Sequence, residues 1–334
     1  MVSYEDLRGL HDALLDAPRT PRGAVIAGGT SGIGQLTVRA LVSTGASVRI
    51  HLIGRKSSEE RSRIFIQELN AINPKAEIIW VEGEISLLSE TKRVCEIIKS
   101  KESRIDLLFL TTGYAPFVAR YATAEGIEIT QSLIYYSRIL FLEHLLAHLH
   151  LSEAPKIVSG QGGEIDRTTV DLEDLDLKKP GNFGLVNTHV QYVAMLSTTM
   201  EKLAVENQGV TFIHSCPGWV NTGNVNRGLD ASLTIKSWLV WLFLEPLIGL
   251  FSFSDEESGQ RYLFQSTSAA FGGRGVPWKG QAGVNSQMKT GEDGLFLVTS
   301  KCDTTPNAKV MPVLREKAQE KIWEHTQKVF GPYL

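Results

Sequence analysis

Strand-like and helix-like runs alternate along the first two thirds of the chain, and no other feature narrows its fold as much. Short runs of small and branched residues, "GAVIAGG" (23–29), "ASVRIHLIG", "AEIIWVEG", "IDLLFLTTG", "KIVSG" and "GVTFIHS", read as six buried strands. Between them lie segments of helical period: "GIGQLTVRALVSTG", about 57–72, "SLLSETKRVCEIIKSKE", about 127–150 and about 186–206. Strand–helix alternation builds right-handed crossovers, so the expected fold class is α/β: a Rossmann-type, doubly wound parallel sheet with helices on both faces. Past Pro217 the alternation weakens. Residues 231–267 read as helical, 268–294 as a glycine-rich loop, "LFLVTS" as a short strand and about 309–330 as a last helix. The organisation expected is therefore one domain over 1–334. It comprises an N-terminal helical arm (1–22, from the spacing of Tyr4, Leu7, Leu10 and Leu14), a core (23–225), and a helical C-terminal extension (226–334) that caps a substrate.

The first strand runs into "AGGTSGIG", where Gly28, Gly32 and Gly34 have the spacing G-x-x-x-G-x-G. Glycine at a strand end lets the chain turn and lets a diphosphate approach backbone N–H groups, and the following helix points its positive end at that anion. Thr30, Ser31 and Ile33 complete the loop, the first two adding hydroxyl donors. At the end of the second strand, "IHLIGRKSS" offers Arg55 and Lys56, and no acid appears before Glu59. An acid there suits the ribose of NAD, whereas a guanidinium fork suits the 2′-phosphate of NADP. The cofactor expected is NADP(H).

Composition removes other classes. With 34 basic and 37 acidic residues the net charge is −3, which provides no nucleic-acid footprint. Cys95, Cys216 and Cys302 lie far apart, in neither a metal-ligand nor a disulfide spacing, and point to a reducing compartment. No basic n-region followed by an apolar run opens the chain, so a cytoplasmic location is expected. The apolar stretch 238–251 is interrupted by Glu245-Pro246 after seven residues, too soon for a membrane span. It reads as an internal helix or substrate lid, with peripheral membrane contact as the alternative. The acidic "DLEDLDL" (171–177) reads as a solvated turn, and no metal is expected.

The glycine pattern at 28–34, the Gly113 turn after the fourth strand and "PGWVNT" (Pro217 to Thr222) after the sixth resemble the short-chain dehydrogenase/reductase superfamily over about residues 23–225. More narrowly, "IGRKS", "EISLL", "KESRIDLLFLTTG", "YYSRILF", "DLEDLDLKK" and "EKIWEHTQKVF" resemble fungal members associated with secondary metabolism. The resemblance implies an adenine half at the 28–34 turn and a nicotinamide over strands four to six. It also implies a carboxamide contact from Thr222, beside Pro217, and a close backbone approach at Gly113. A homodimer through the helices at 127–150 and 186–206 is a further implication. Ala27 stands where the family has threonine, and Glu84 where it has an adenine-contacting aspartate.

The larger departure is catalytic. In the family a tyrosine donates the proton while a lysine four residues on lowers its pKa. None of the eight tyrosines here has a lysine at that distance. The tyrosine register falls on His189 and the lysine register on Val193; the serine falls on Gln161 or Gly162 and the asparagine near Ile134. His189, which titrates near neutrality, is the candidate acid, against the alternative of a packed helix-interface histidine. Arg138, one turn beyond Ile134, is a candidate stabiliser of an oxyanion, against the alternative of an ion pair, and Tyr135 is a candidate for the same cleft, against the alternative of core packing. The function expected is an NADP(H)-dependent reductase of a hydrophobic carbonyl, enone or iminium. A non-redox cyclase or isomerase on the same scaffold and a non-catalytic NADP-binding protein are the alternatives.

Overall fold

The structure, a computed structural model, describes residues 2, 4–7, 9, 21–114, 119–162, 167–218 and 252–334. In chain order the elements are β1 (Gly23–Ala27), α1 (Gly32–Ser43), β2 (Arg49–Gly54), α2 (Glu59–Ile72), β3 (Glu77–Glu82), α3 (Leu88–Lys101) and β4 (Leu107–Leu110). There follow α4 (Ser137–Leu149), β5 (Lys156–Gly160), α5 (Leu185–Glu206), β6 (Thr211–Ser215), α6 (Asp255–Thr267), β7 (Gly294–Val298), α7 (Met311–Lys317) and α8 (Gln319–Phe330). The strands form one seven-stranded sheet in the order β3-β2-β1-β4-β5-β6-β7, parallel at every pairing. The expected fold class is the one observed.

Central strands are apolar throughout because both faces are covered: β4 is Leu107-Leu108-Phe109-Leu110, with every residue buried. One core, under α3, α4 and α5, takes alternate strand residues such as Val25, Leu108, Ile157 and Phe212. The opposite core, under α1, α2 and α6, takes Ile26, Phe109, Val158 and Ile213. Each apolar side chain moved out of water there contributes roughly 1.5–3 kcal/mol.

Three features differ from the sequence reading. The strand at 294–298 extends the sheet beside β6, in the register Thr211↔Gly294, and α6 packs on α1 so tightly that a Cβ on Gly259 would lie 2.8 Å from the Leu36 carbonyl oxygen. Part of the segment expected as a cap over 226–334 thus belongs to the central layers. The helix expected at 231–267 is described only as α6; its earlier part, with the 238–251 stretch, lies outside the described residues. Lastly, the helix expected over 127–150 is interrupted. A turn at Ile129–Gln131 leads into a π turn at Ser132–Tyr136 before α4 begins.

The C-terminal helices cover α4 and α5. Glu201 of α5, fully buried, pairs with Arg315 at 2.6 Å, Lys202 lies over the Trp323 ring, and Gln327 donates to Glu143 of α4. Among the described residues no helix is long and apolar enough to cross a membrane.

Candidate active site

Strand order reverses between β1 and β4, the crevice where a doubly wound sheet receives a ligand. A cavity of about 410 Å³ lies there, at the carboxyl ends of the strands. Gly28 (φ +93°) and Gly32 (φ +55°) adopt backbone angles that side chains resist. A Cβ on Gly28 would also stand 2.7 Å from the Thr111 hydroxyl, and one on Gly34 would stand 2.3 Å from the Gly28 carbonyl oxygen. Gly28, Thr30, Ser31, Gly32 and Ile33 line the cavity. Gly34 does not; its missing side chain lets α1 sit against the β1 turn. No acid occupies the first turn of α1, and the Ser31 side chain makes no capping bond there, so the positive helix end faces the cavity without a built-in counter-charge. This cradle fits a diphosphate.

Beyond β2, Arg55 lines the cavity. Its backbone is pinned by Ser58, whose N–H and hydroxyl both donate to the Arg55 carbonyl, at 2.8 and 2.7 Å. Lys56 starts the following short turn, exposed and outside the cavity lining. Gly54 leaves room for the Trp80 ring and the Thr30 methyl, which a Cβ would meet at 2.3 and 2.6 Å. Glu84, also lining, accepts from the Ser86 hydroxyl at 2.8 Å.

At the other end of the cavity stand Gly113, Leu133, Ile134, Gln161, Thr188, His189 and Pro217. Gly113 (φ +141°) turns the chain off β4 and abuts Ile134. The residues at three of the four catalytic registers (Gln161, Ile134 and His189) thus share one wall. Val193, in the lysine register, is buried away from it. His189 is partly buried, and that desolvation lowers its pKa, which favours neutral imidazole. Thr188 is fully buried and its hydroxyl has no partner among the described residues.

The other two expected catalytic residues face elsewhere. Tyr135 is buried in the α5–α8 interface, where its hydroxyl bonds those of Thr199 (2.9 Å) and Thr326 (2.5 Å), and burial raises its pKa to about 12. Arg138 lies beneath the cavity wall. Its Nε donates to the Leu133 carbonyl, Nη1 to the Ser159 hydroxyl and the Gly160 carbonyl, and Nη2 to the Thr112 carbonyl and the Gln161 side chain. Burial pulls its pKa down to about 9, leaving it charged at neutrality. All five donors are engaged, so Arg138 braces the ends of β4 and β5 and presents no donor to a substrate. The π turn makes this possible by freeing the Leu133 carbonyl, which also accepts from Thr112 Oγ1 at 3.0 Å. Thr222 lies outside the described residues. The acids of the 171–177 loop are held by protein partners: Asp174 by Asn182 and two backbone N–H groups, Asp176 by Tyr136, His325 and Lys178.

Sequence reasoning passed over Thr112, Tyr114 and Thr188, which also line the cavity. Tyr114 was visible, since it directly follows the Gly113 turn. Thr188 differs from its neighbours only by a burial that sequence does not display.

A parallel sheet with a glycine cradle at its switch point defines a dinucleotide-binding α/β enzyme. The family profile for short chain dehydrogenases matches residues 22–159. Oxidoreductase AN1596 of Emericella nidulans is 34% identical, with 98% of each chain covered. Oxidoreductase andH of Emericella variicolor is 32% identical over 99% of this chain and 97% of its own. Among solved structures, the NADPH-dependent 3-quinuclidinone reductase of Rhodotorula rubra shares the fold, with a TM-score of 0.54 at 16% identity, over 84% of this chain and 92% of that one. The chain belongs to the short-chain dehydrogenase/reductase family and is an oxidoreductase of that type.

Proposed function

We propose that this oxidoreductase is an NADP(H)-dependent reductase of a hydrophobic secondary-metabolite carbonyl, enone or iminium. The observation that carries the cofactor choice is Arg55, fixed at the end of β2 and lining the cavity, with no acid before Glu59. A guanidinium there pairs with a 2′-phosphate; exposed Lys56 adds charge from outside. A bound nicotinamide supplies the hydride. The backbone at Gly28–Gly32 would hold the diphosphate, Glu84 and Gly54 would border the adenine, and Gly113 and Pro217 would border the nicotinamide. Leu133 and Ile134 exclude water. His189 is the group offered for proton transfer, with Gln161 and Thr188 beside it. An iminium needs no proton, which suits a wall without the tyrosine–lysine pair. The oxidoreductase part of the reading draws support from the two Emericella oxidoreductases that the chain resembles along its whole length. Three free cysteines support a cytoplasmic location. A homodimer through α4 and α5 would have to displace α7 and α8.

Titration calorimetry of Arg55→Ala tests the reading. NADPH affinity is expected to fall about 10- to 100-fold, the worth of a charge-assisted bond, while NADH affinity holds. Equal losses for both would remove the NADP assignment. Turnover that persists after all nucleotide is stripped would favour a non-redox cyclase or isomerase instead.

A further inference from the structure

The acidic stretch 171–177, between β5 and α5, has no part in the chemistry above, yet one of its carboxylates holds the cavity wall from behind. The stretch is itself anchored. Asp174 accepts from the Lys178 and Lys179 N–H groups at 2.7 and 2.9 Å and from the Asn182 side chain at 2.8 Å. Gln191 of α5 exchanges two hydrogen bonds with the Asp171 backbone, at 3.0 and 3.1 Å. From this fixed loop the Asp176 side chain turns inward, only 13% exposed.

Its Oδ1 accepts from the Tyr136 hydroxyl at 2.8 Å, His325 Nε2 of α8 at 3.0 Å and Gln131 Nε2 at 3.2 Å. Its Oδ2 accepts from Lys178 Nζ at 2.6 Å. Four converging donors call for the acceptor sites and charge of a carboxylate; an amide oxygen offers half as many sites. Gln131 and Tyr136 are fully buried and stand at the two ends of the interrupted helix start, Gln131 closing its first turn and Tyr136 its π turn. Leu133 and Ile134, between them, line the cavity. The Leu133 carbonyl is held from the sheet side by Arg138 and Thr112. The Ile134 side chain comes within 3.0 Å of where a Gly113 Cβ would stand. The wall is thus clamped on both sides and packed against the backbone at the nicotinamide end.

We propose that Asp176 is a positioning residue for the nicotinamide: through Gln131 and Tyr136 it sets where Leu133 and Ile134 stand, and through His325 it ties that wall to the C-terminal helix α8. The inference rests on the dinucleotide reading of the cavity. Titration calorimetry with NADPH and with 2′-phospho-ADP-ribose, which lacks the nicotinamide, tests it. Asp176→Ala should weaken NADPH about tenfold, the scale of coupling within one network, and leave the fragment within about twofold of wild type. Asp176→Asn, which keeps one acceptor oxygen, should lose less. Tyr136→Phe keeps the ring and its packing and removes one bond, so it carries the test even if Asp176→Ala does not fold. It should show the same split at about threefold, and add nothing to Asp176→Ala in the double variant. A merely structural role would lower the melting temperature without separating the two ligands. Equal losses of NADPH and fragment, or no loss of either, would overturn the proposal. If wild type bound neither ligand, the dinucleotide reading itself would fall, and the positioning role with it.

Discussion

Replacing Arg138 by methionine keeps the apolar stem and removes the guanidinium. The five acceptors it leaves behind belong to the π turn before α4 and to the ends of β4 and β5: the Leu133, Thr112 and Gly160 carbonyls, the Ser159 hydroxyl and the Gln161 side chain. Hydrogen bonds to a charged group are worth about 1.5–3 kcal/mol each. Burying a cation without a carboxylate partner opposes that by several kcal/mol. We expect a net loss of about 3 kcal/mol. With an unfolding entropy of about 2.1 cal/mol/K per residue, a chain of this length should then melt about 4–5 °C lower. Arg138→Lys, which keeps the charge with fewer donors, should fall between. Melting followed by circular dichroism is the assay, with dinucleotide titration alongside, because Thr112, Gly160 and Gln161 line the cavity. If Arg138→Met melted within about 1 °C of wild type and bound dinucleotide normally, the bracing role would be refuted.

If His189 supplies the proton, His189→Ala should slow turnover at least about tenfold. Because burial lowers its pKa, the acid form is scarce at neutrality, and wild-type turnover should climb as pH falls below about 6.5. A pH-independent rate, or an unchanged variant, would leave it a packing role. Lys156, buried at the start of β5 with its Nζ donating to the Phe271 carbonyl at 2.9 Å, has its pKa pulled down to about 7 by burial. Between about pH 7 and 10 the unfolded chain therefore holds the extra proton, so wild-type stability should rise with pH across that window. Lys156→Met should melt higher than wild type at pH 6, with the gap closing toward pH 10; a gap constant with pH would refute this.

The alternating apolar runs made the layered sheet legible, because a strand buried on both faces announces itself by composition alone. The Gly28–Gly34 cradle was legible for a similar reason: its backbone demands are local. What sequence could not display were partners brought from far along the chain. β7 reads as a stray strand until β6 is seen beside it. Arg138 reads as a ligand-binding cation until carbonyls from two strands and a helix turn close around it, and Tyr135 until Thr199 and Thr326 meet its hydroxyl. The π turn is invisible to periodicity, since one widened turn leaves the apolar spacing on either side intact.

That widened turn fixes an angle. One residue advances a helix by about 100°, so the extra residue within Ser132–Tyr136 sets the rotational phase of everything before it relative to α4. Deleting a residue there to restore regular α geometry would swing Ile129 off the cavity wall and carry Glu128 and Thr130 with it, while the phase of α4 beneath the sheet stayed as it is. Two surfaces of one helical rod, the side that packs and the side that meets ligand, are thereby uncoupled and can be re-aimed separately.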